Sequence, residues 1–290
     1  MAKNNKKVTN KNSKNKNSSS KNQKSNSKNS INLKNKNVIG SAVAAIIIVV
    51  LVVVVLTHPL YKAPFSAPSS ITSDKYYMVS NKDMLSNGSS GVFFISWYGC
   101  PIGATDSWAI YYAINSTTDI YKYVELHTAD PGDIYSNGTT GQPGLLFKGD
   151  FTFKTTKGYN YTFYPIYMYN ETMTGTINNK PINGSLATYG LSVIKAEAPI
   201  GIYNIMKKYE KYVTYDNHIT TTFIITGPSG TYIFNAYMYA PKSGGLLGSG
   251  SPQHGEWNPN PPQYVMEYLS SSSQITGAAN TFMSYLNDAR

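Results

Sequence analysis

The chain has 290 residues, enough for one large domain or two small ones with a buried core. Its formal charge of +10 is unevenly distributed, because residues 1–37 contain eleven lysines and no acid while the remainder is nearly neutral. A single cysteine excludes a disulfide framework. The four histidines are scattered and no phosphate-loop or dinucleotide-binding motif occurs, so the sequence predicts neither a metal site nor a cofactor.

Residues 1–37 are predicted to form a disordered cytoplasmic tail. They are mainly Lys, Asn and Ser, and they lack the apolar side chains whose burial could offset the entropy lost on ordering. A lysine run of this kind is also typical of a nucleic-acid-binding arm. The apolar segment that follows favours a tail held at a membrane, so we expect no nucleic-acid partner.

Residues 38–57 are predicted to be a transmembrane signal anchor. Val38 to Leu56 is a run of nineteen uncharged residues, which as a helix would be about 28 Å long. Lysines are dense before this run and only Lys62 follows it closely. The positive-inside rule then predicts a single-pass protein of the cell membrane, with a cytoplasmic N-terminus and an extracellular C-terminal domain. A cleaved signal peptide is disfavoured because its charged and apolar regions would both be too long.

Residues 58–75 are rich in Pro and Ser and are predicted to be a spacer, followed by an extracytoplasmic domain over 76–290. This domain contains six Asn-x-Ser/Thr tripeptides, which beyond a signal anchor predict a cell-surface glycoprotein. The candidate glycosylation sites are Asn87, Asn115, Asn137, Asn160, Asn170 and Asn183.

The stretch 91–115 predicts a buried strand followed by a helix. Its first half is a short apolar run, and its second half has apolar residues at helical spacing. Pro101 suits a first helical turn, because its ring presets a helical φ and its missing N–H would have had no partner. Cys100 therefore lies at the predicted helix start, where free N–H groups and the helix dipole favour a thiolate. Asp106, one turn further on, disfavours that charge.

A strand, a tight turn and a cysteine at a helix start resemble the thioredoxin superfamily, whose members carry Trp-Cys-Gly-Pro-Cys or Phe-Cys-Pro-x-Cys. The matching run is Cys100-Pro101-Ile102-Gly103, with Trp97 upstream and Gly103 where the resolving cysteine would stand. A rival alignment sets Trp97 to Pro101 over Trp-Cys-Gly-Pro-Cys. The first alignment is preferred because it keeps the proline directly after the cysteine. Either way one cysteine is missing, which excludes a catalytic disulfide within the chain.

The hydrophobic pattern predicts further elements downstream. Residues 120–128 are predicted as a second strand, parallel to the first, and 131–149 as a Gly-rich loop. A hairpin is predicted within 151–168. Apolar residues at helical spacing then predict two helices, near 186–194 and 202–213.

The last predicted elements are a hairpin over 218–239 and a terminal helix over 275–286. In the thioredoxin superfamily, Thr-cisPro-Thr-Phe precedes the equivalent hairpin. The run Thr-Thr-Thr-Phe at 220–223 puts Thr221 at the cis-proline position. The resemblance implies that Cys100 lies close to Thr221 across the sheet, and that Thr221 presents backbone groups to an extended peptide.

These elements predict an α/β fold, a thioredoxin-like mixed sheet flanked by helices with a large insertion, preceded by one transmembrane helix and a disordered tail. Strands 92–97, 120–127, 219–226 and 230–239 are expected to share one sheet. The lysine-rich tail, the apolar anchor, the Tyr/Thr-rich domain and the Trp-Tyr-Gly-Cys-Pro motif resemble a crenarchaeal family of uncharacterised membrane-anchored proteins with a thioredoxin-like domain. That resemblance implies an archaeal membrane protein and carries no known activity.

Two functions remain open for the domain over 76–290, so the sequence leaves open whether it is an enzyme. In the first, it is a surface binding or scaffold domain with a protein or peptide partner, and the residues around Cys100 only shape the site. In the second, Cys100 is the catalytic thiol of a monothiol redox protein that forms mixed disulfides. A fold alone does not determine activity. The first function is favoured because the resolving cysteine and the cis-proline of the thioredoxin superfamily are both replaced in this sequence.

Overall fold

The structure is a computed structural model that describes residues 46–49, 64–85, 88–253 and 255–290. The chain divides into two compact units, Met1–Ala63 and Pro64–Arg290. Residues 46–49 of the first unit are helical, and all elements named below belong to the second. The predicted tail, the candidate glycosylation site Asn87 and the loop residue His254 lie outside the described residues.

The membrane anchor predicted over 38–57 is corrected by the structure. Within the described residues, no helix combines the length and the apolar character needed to cross a membrane. Of the predicted span only residues 46–49 are described, and they are helical; the rest of 38–57 lies outside the described residues. This finding contradicts the transmembrane helix of the predicted fold, the signal anchor and the single-pass localisation. The membrane as a partner is not tested and stays a prediction.

The second unit contains both strands and helices. The described strands are β1 Tyr76–Ser80, β2 Gly91–Ser96, β3 Val124–Thr128, β4 Pro143–Phe147, β5 Phe151–Lys154, β6 Asn160–Tyr167, β7 Thr214–Tyr215, β8 His218–Ile219, β9 Thr222–Gly227, β10 Gly230–Asn235, β11 Gly248–Gly250 and β12 Trp257–Pro259. The described α-helices of this unit are α1 Pro101–Asn115, α2 Leu186–Glu197, α3 Ile200–Val213, α4 Pro262–Tyr268 and α5 Ser273–Asp288.

The main sheet has six strands in the order β1-β10-β9-β2-β6-β5. β2 is parallel to β6, and every other neighbouring pair is antiparallel. Phe94 on β2 lies opposite Phe223 of β9 on one side and Pro165 of β6 on the other. This pairing confirms that the predicted strands 92–97 and 219–226 share one sheet through residues 92–96 and 222–226, whereas Ile219 pairs with β7 in a separate two-stranded sheet.

Helices cover both faces of this sheet, which explains the uninterrupted apolar run of β2. Successive side chains of a strand point to opposite faces. Val92 and Phe94 accordingly pack in the core that contains residues of α1 and α5. Phe93 and Ile95 pack in the second core, with residues of α2 and α3. The result is a mixed α/β domain of three layers, with β2 at its centre.

Residues 120–127, predicted for the main sheet, lie elsewhere. β3 pairs with β4 in a separate two-stranded sheet, and β4 lies within the predicted Gly-rich loop. This hairpin packs on α1, where Trp108 Nε1 donates to the Pro143 carbonyl at 2.8 Å. A Cβ on Gly144 would lie only 2.4 Å from Cα of Ala104, so the approach is close. The parallel neighbour of β2 is instead β6, and β3 pairs with β4 outside the main sheet.

The other predicted elements are confirmed with shifted ends. These are α1, the hairpin of β5 and β6, the helices α2 and α3, the hairpin of β9 and β10, and the terminal helix α5. The sequence pattern does not predict β7, β8, β11 and β12. They are two or three residues long, too short to show an alternating pattern.

Candidate functional site

The turn between β2 and α1 positions Cys100. Its N–H donates to the Trp97 carbonyl at 3.2 Å, and its carbonyl accepts the first helical hydrogen bond from the Ala104 N–H at 2.8 Å. Cys100 is the N-cap of α1 and Pro101 is the first helical residue, as the sequence predicts. The local chain thus fixes the cysteine at the carboxyl end of the central strand.

A chain of hydroxyl groups holds the Cys100 side chain, which is only 3% exposed. Its Sγ lies 3.0 Å from Thr221 Oγ1, which in turn lies 2.9 Å from Ser96 Oγ. The predicted proximity of Cys100 and Thr221 is therefore observed. The Ser96 hydroxyl donates to the Trp97 carbonyl at 3.5 Å. In each of the two bonds that Thr221 Oγ1 makes, either atom can be the donor, so the thiol can donate to Thr221 or accept from it.

This environment favours the neutral thiol. Burial raises the pKa of Cys100 and outweighs the opposing hydrogen bonds from the Thr221 hydroxyl and two backbone N–H groups of α1. Since the thiolate is the reactive form of a cysteine, a raised pKa of Cys100 disfavours its attack on a ligand.

Packing leaves no room for a resolving cysteine. Gly103 stands at that position in the thioredoxin comparison, and a Cβ on it would lie 2.4 Å from Ser96 Oγ and 3.2 Å from Thr221 Oγ1. Real Cβ atoms do not approach other atoms to 2.4 Å, so a side chain at 103 would displace the hydroxyl pair that holds Cys100. The packing of the turn therefore explains why glycine, and no second cysteine, occupies position 103.

Thr221 uses its carbonyl within the fold. The oxygen accepts from the Ala236 N–H at 3.1 Å and from Asn235 Nδ2 at 3.0 Å. The N–H of Thr220 likewise donates to the Val213 carbonyl at 2.9 Å. No cis peptide bond occurs among the described residues. The resemblance implied that backbone groups here are presented to an extended peptide, but the Thr221 carbonyl and the Thr220 N–H are already hydrogen-bonded within the fold. A ligand beside Cys100 would therefore mainly contact side chains.

A cleft of ≈ 480 Å³ opens beside the Cys100 turn. Its walls come from distant parts of the chain: the β2–α1 turn, the β3–β4 loop, the segment after β6, the β7–β8 hairpin and the segment after β10. Large side chains that line it include Trp97, Ile134, Met173, Tyr215, His218 and Tyr237. The volume falls in the range of about 300–1,000 Å³ that is usual for ligand sites.

Aromatic rings form one wall of the cleft. The ring of His218 meets Trp97 edge-on at 6.1 Å and Tyr215 edge-on at 6.4 Å. Trp97 is 4% exposed, and its Nε1 is buried without a hydrogen-bond partner. At the mouth, Tyr215 is 73% exposed and Ile134 48% exposed. Large apolar side chains left at the mouth of a cleft are typical of a binding surface.

Two residues of the cleft wall have an unfavourable backbone conformation. Met173 has a φ of 54° and Ala236 a φ of 78°, a region that side chains other than glycine and asparagine seldom adopt. Such residues cost on the order of 1–3 kcal/mol each and are concentrated at functional sites. Their place in this wall supports the cleft as the candidate site.

Asp106 lies buried behind the cleft. Its Oδ1 accepts the Met238 N–H at 2.8 Å, its Oδ2 has no hydrogen-bond partner, and its side chain is 0% exposed. Burial raises the pKa of this carboxyl well above its ordinary value. Asp106 therefore ties the segment after β10 to α1 as a buried acid. No group of three or more potential metal ligands is found among the described residues.

The sequence locates part of this site. Trp97, Cys100 and Pro101 line the cleft, whereas Gly103 and Thr221 pack behind the thiol. The pattern analysis misses the β7–β8 hairpin. One signal was present, because the two turn residues at 216–217 are Asp-Asn with φ of 43° and 65°, the conformation of a two-residue hairpin turn. The sequence predicts a loop over 131–149, but neither that loop nor the segment after β6 carries a motif that would assign it to the site.

The candidate glycosylation sites differ in access. The described asparagines at 115, 137, 160 and 183 are exposed. Asn170 is only 9% exposed, and its Nδ2 donates to Thr174 Oγ1 and Asn179 Oδ1. Because Nδ2 is the atom that accepts a glycan, the folded chain does not present Asn170 for modification. Glycosylation itself stays a prediction.

Comparison with known proteins yields one match. Residues 75–288 match a protein family described as "Domain of unknown function (DUF929)", which covers well over half of the chain and spans the whole of the six-stranded sheet. No curated protein and no solved structure matches the chain.

Proposed function

We propose that this chain, which belongs to the DUF929 family of unknown function, is a binding domain that takes a protein or peptide partner in the cleft beside Cys100. One observation carries the proposal. The only cysteine is buried, lies 3.0 Å from the Thr221 hydroxyl, has its pKa raised by burial, and forms part of the wall of a ≈ 480 Å³ cleft whose mouth carries exposed Tyr215 and Ile134. The site therefore offers contact area, and no activated nucleophile is evident in it.

We also propose a thioredoxin-like scaffold for the domain. The order β10-β9-β2-β6 supports it, with β2 parallel to β6, α1 starting at the end of β2 and the terminal helix α5 packed in the same core as α1. A solved structure whose β2, β6, β9 and β10 have another order would contradict it. The crenarchaeal origin implied by the resemblance stays a prediction.

Peptide selection tests the binding function. Random peptides displayed on phage are selected against the full chain and then measured against three variants. We expect Tyr215→Ala and Ile134→Ala to weaken the selected peptides at least several-fold, because both exposed side chains line the mouth of the cleft. Tyr121→Ala removes an equally exposed side chain that does not line this cleft and should have no effect. Selected peptides whose affinity is unchanged by both cleft substitutions would argue against a binding function at this site.

A monothiol redox function is the second candidate. The observation that favours it is that Cys100 lines the cleft at the start of α1, where two backbone N–H groups reach the sulfur and act to lower its pKa. In this reaction the deprotonated sulfur would attack a disulfide, form a mixed disulfide and release the other half as a thiolate. A first external thiol would attack the Cys100 sulfur, release the bound half as a thiol and stay disulfide-bonded to Cys100. A second external thiol would then attack that bond, restore Cys100 and leave as the disulfide of the two external thiols, so that the original disulfide is reduced.

Intact mass spectrometry after incubation with oxidised glutathione separates the two candidates. The binding proposal expects no mixed disulfide on the native chain at pH 7, and one mixed disulfide once the chain is unfolded in denaturant. Cys100→Ser controls for the site of modification. Fast formation of the mixed disulfide on the native chain, abolished in Cys100→Ser, would establish the redox function instead.

A further inference from the structure

The charge of the cleft limits what it can bind. Among the described lining residues there is a carboxylate, Asp133, and no lysine or arginine. An anionic ligand would lose its hydration without gaining a cationic partner, which is costly for a charge. Phosphorylated or acidic groups are therefore poor candidates for this cleft.

Three further aspartates are neighbours of cleft residues, through backbone hydrogen bonds or in the sequence. The Asp74 N–H donates to the carbonyl of the lining residue Asn235 at 2.9 Å. The Asp130 N–H donates to the Gly99 carbonyl at 3.0 Å, next to the Cys100 turn. Asp216 is the turn residue directly after Tyr215.

The lysines near the mouth are fewer. They are Lys75, which follows Asp74 in the sequence, and Lys211, whose ammonium lies 4.7 Å from the ring centroid of Tyr212. Among the described lining residues themselves, His218 is the only side chain that can carry a positive charge. Together with Asp133 in the lining, four aspartates (Asp74, Asp130, Asp133 and Asp216) against two lysines make the surroundings of the cleft acidic.

The interior of the cleft, unlike its rim, disfavours a positive charge on a ligand. Trp97, Ile102 and Met173 supply apolar surface there, and α1 begins beside them at Pro101. The positive end of a helix disfavours a cation in its first turn. A positive charge on a ligand is thus favourable at the rim and unfavourable inside.

Resting on the binding function above, we propose that the cleft recognises a polypeptide segment in which one large apolar or aromatic side chain is flanked by lysine or arginine. The apolar side chain fills the interior against Trp97 and Met173, and the flanking cations face the carboxylates of the rim. Tyr215 and Ile134 close over the inserted side chain from the mouth. Complementary charge at a rim mainly sets the selectivity and the association rate of such a partner.

Three synthetic peptides test this charge pattern by isothermal titration with the full chain. They share one frame, Gly-Lys-Phe-Lys-Gly, Gly-Glu-Phe-Glu-Gly and Gly-Lys-Ala-Lys-Gly, each blocked at both ends. We expect the first to bind more tightly than the other two, and raised salt to weaken it. Equal or tighter binding of the acidic peptide would overturn the proposal, and so would equal binding of the alanine peptide. Failure of all three to bind would also overturn it, whereas cleft-specific peptides of another composition from the phage selection would leave the binding function standing.

Rim variants connect the preference to this cleft. Asp216→Asn preserves the left-handed turn, because asparagine adopts positive φ readily. Asp133→Asn keeps an oxygen that can accept the Ile134 N–H. Each should weaken the lysine peptide roughly 1.5- to 5-fold, the range of an exposed ion pair. Asp288→Asn, on exposed surface outside the cleft, should leave it unchanged. A lysine peptide that binds all variants equally would refute the role of the rim.

Discussion

Replacement of the buried acid Asp106 by asparagine is expected to stabilise the protein at neutral pH. The carboxyl is 0% exposed and its Oδ2 has no partner, so burial raises its pKa well above the ordinary value. A raised folded pKa means that folding favours the protonated acid. Its contribution to stability is complete below the unfolded pKa of ~3.9 and is lost as the pH rises towards the folded pKa.

The size of the effect follows from this proton linkage. Above pH ~3.9 each pH unit costs about 1.4 kcal/mol for as long as Asp106 stays protonated in the fold. Asp106→Asn removes this cost and keeps an oxygen for the Met238 N–H, which lies 2.8 Å from Oδ1. The new amide donors at Oδ2 lack a partner, but so does the proton of the buried acid. We therefore expect near-equal stability at pH 4 and a gain of about 1–4 kcal/mol at pH 7.

Urea unfolding of the full chain from pH 4 to pH 7 measures this difference directly. Asp288→Asn, at an exposed position, controls for the change in net charge. An Asp106→Asn variant that is less stable than the wild type at pH 7, or whose stability difference does not grow with pH, would refute the reasoning. That result would mean that the Asp106 carboxylate is solvated or paired in the folded chain.

Three further predictions concern packing, titration and modification. Gly103→Ala should destabilise the chain by roughly 1–3 kcal/mol, because its Cβ would lie 2.4 Å from Ser96 Oγ, whereas Gly277→Ala on α5 meets no atom within 4 Å and should be neutral or stabilising in thermal unfolding. Burial lowers the pKa of His127, whose Nε2 lies 2.9 Å from the Tyr98 carbonyl, so its stabilisation is complete above pH ~6.5 and is lost as the pH falls. His127→Gln should therefore lose less stability than the wild type between pH 7 and pH 5 in urea titrations, and an equal loss would contradict the assignment. An oligosaccharyltransferase acting on the folded chain should modify Asn137 and leave Asn170 unmodified, as peptide mapping would show, and an occupied Asn170 would contradict its hydrogen bonding through Nδ2.

The central strand and helix could be predicted from the sequence because several local signals agree there. The run 92–95 is apolar on both faces, Pro101 starts the helix, and Cys100 marks the turn between them. Turn residues and alternation likewise predict the hairpin of β9 and β10. Where short-range patterning and tertiary packing point the same way, the prediction survives.

The placement of β3 could not be predicted in this way, because its partner is set by tertiary contacts. Residues 120–128 carry the pattern of a strand, but a pattern does not specify which sheet the strand joins. Gly144 and Trp108 bring β4 against α1, and β3 follows its hairpin partner. The same limit applies to the cleft, whose walls are assembled from distant loops. The sequence shows where the cysteine is. Its surroundings, however, depend on a tertiary contact between Ser96 at the end of β2 and Thr221 just before β9, which a local pattern does not reveal.

The alkylation rate of Cys100 as a function of pH tests the central claim most directly. The full chain is treated with iodoacetamide between pH 6 and pH 10, folded and in denaturant, and modification of its single thiol is followed by intact mass. A binding domain with a buried neutral thiol predicts a slow reaction in the fold at every pH, an apparent pKa above the ordinary value of ~8.5 and fast reaction once unfolded. A folded chain that reacts as fast as the unfolded one, with an apparent pKa below ~8.5, would contradict the account and identify Cys100 as an active thiol.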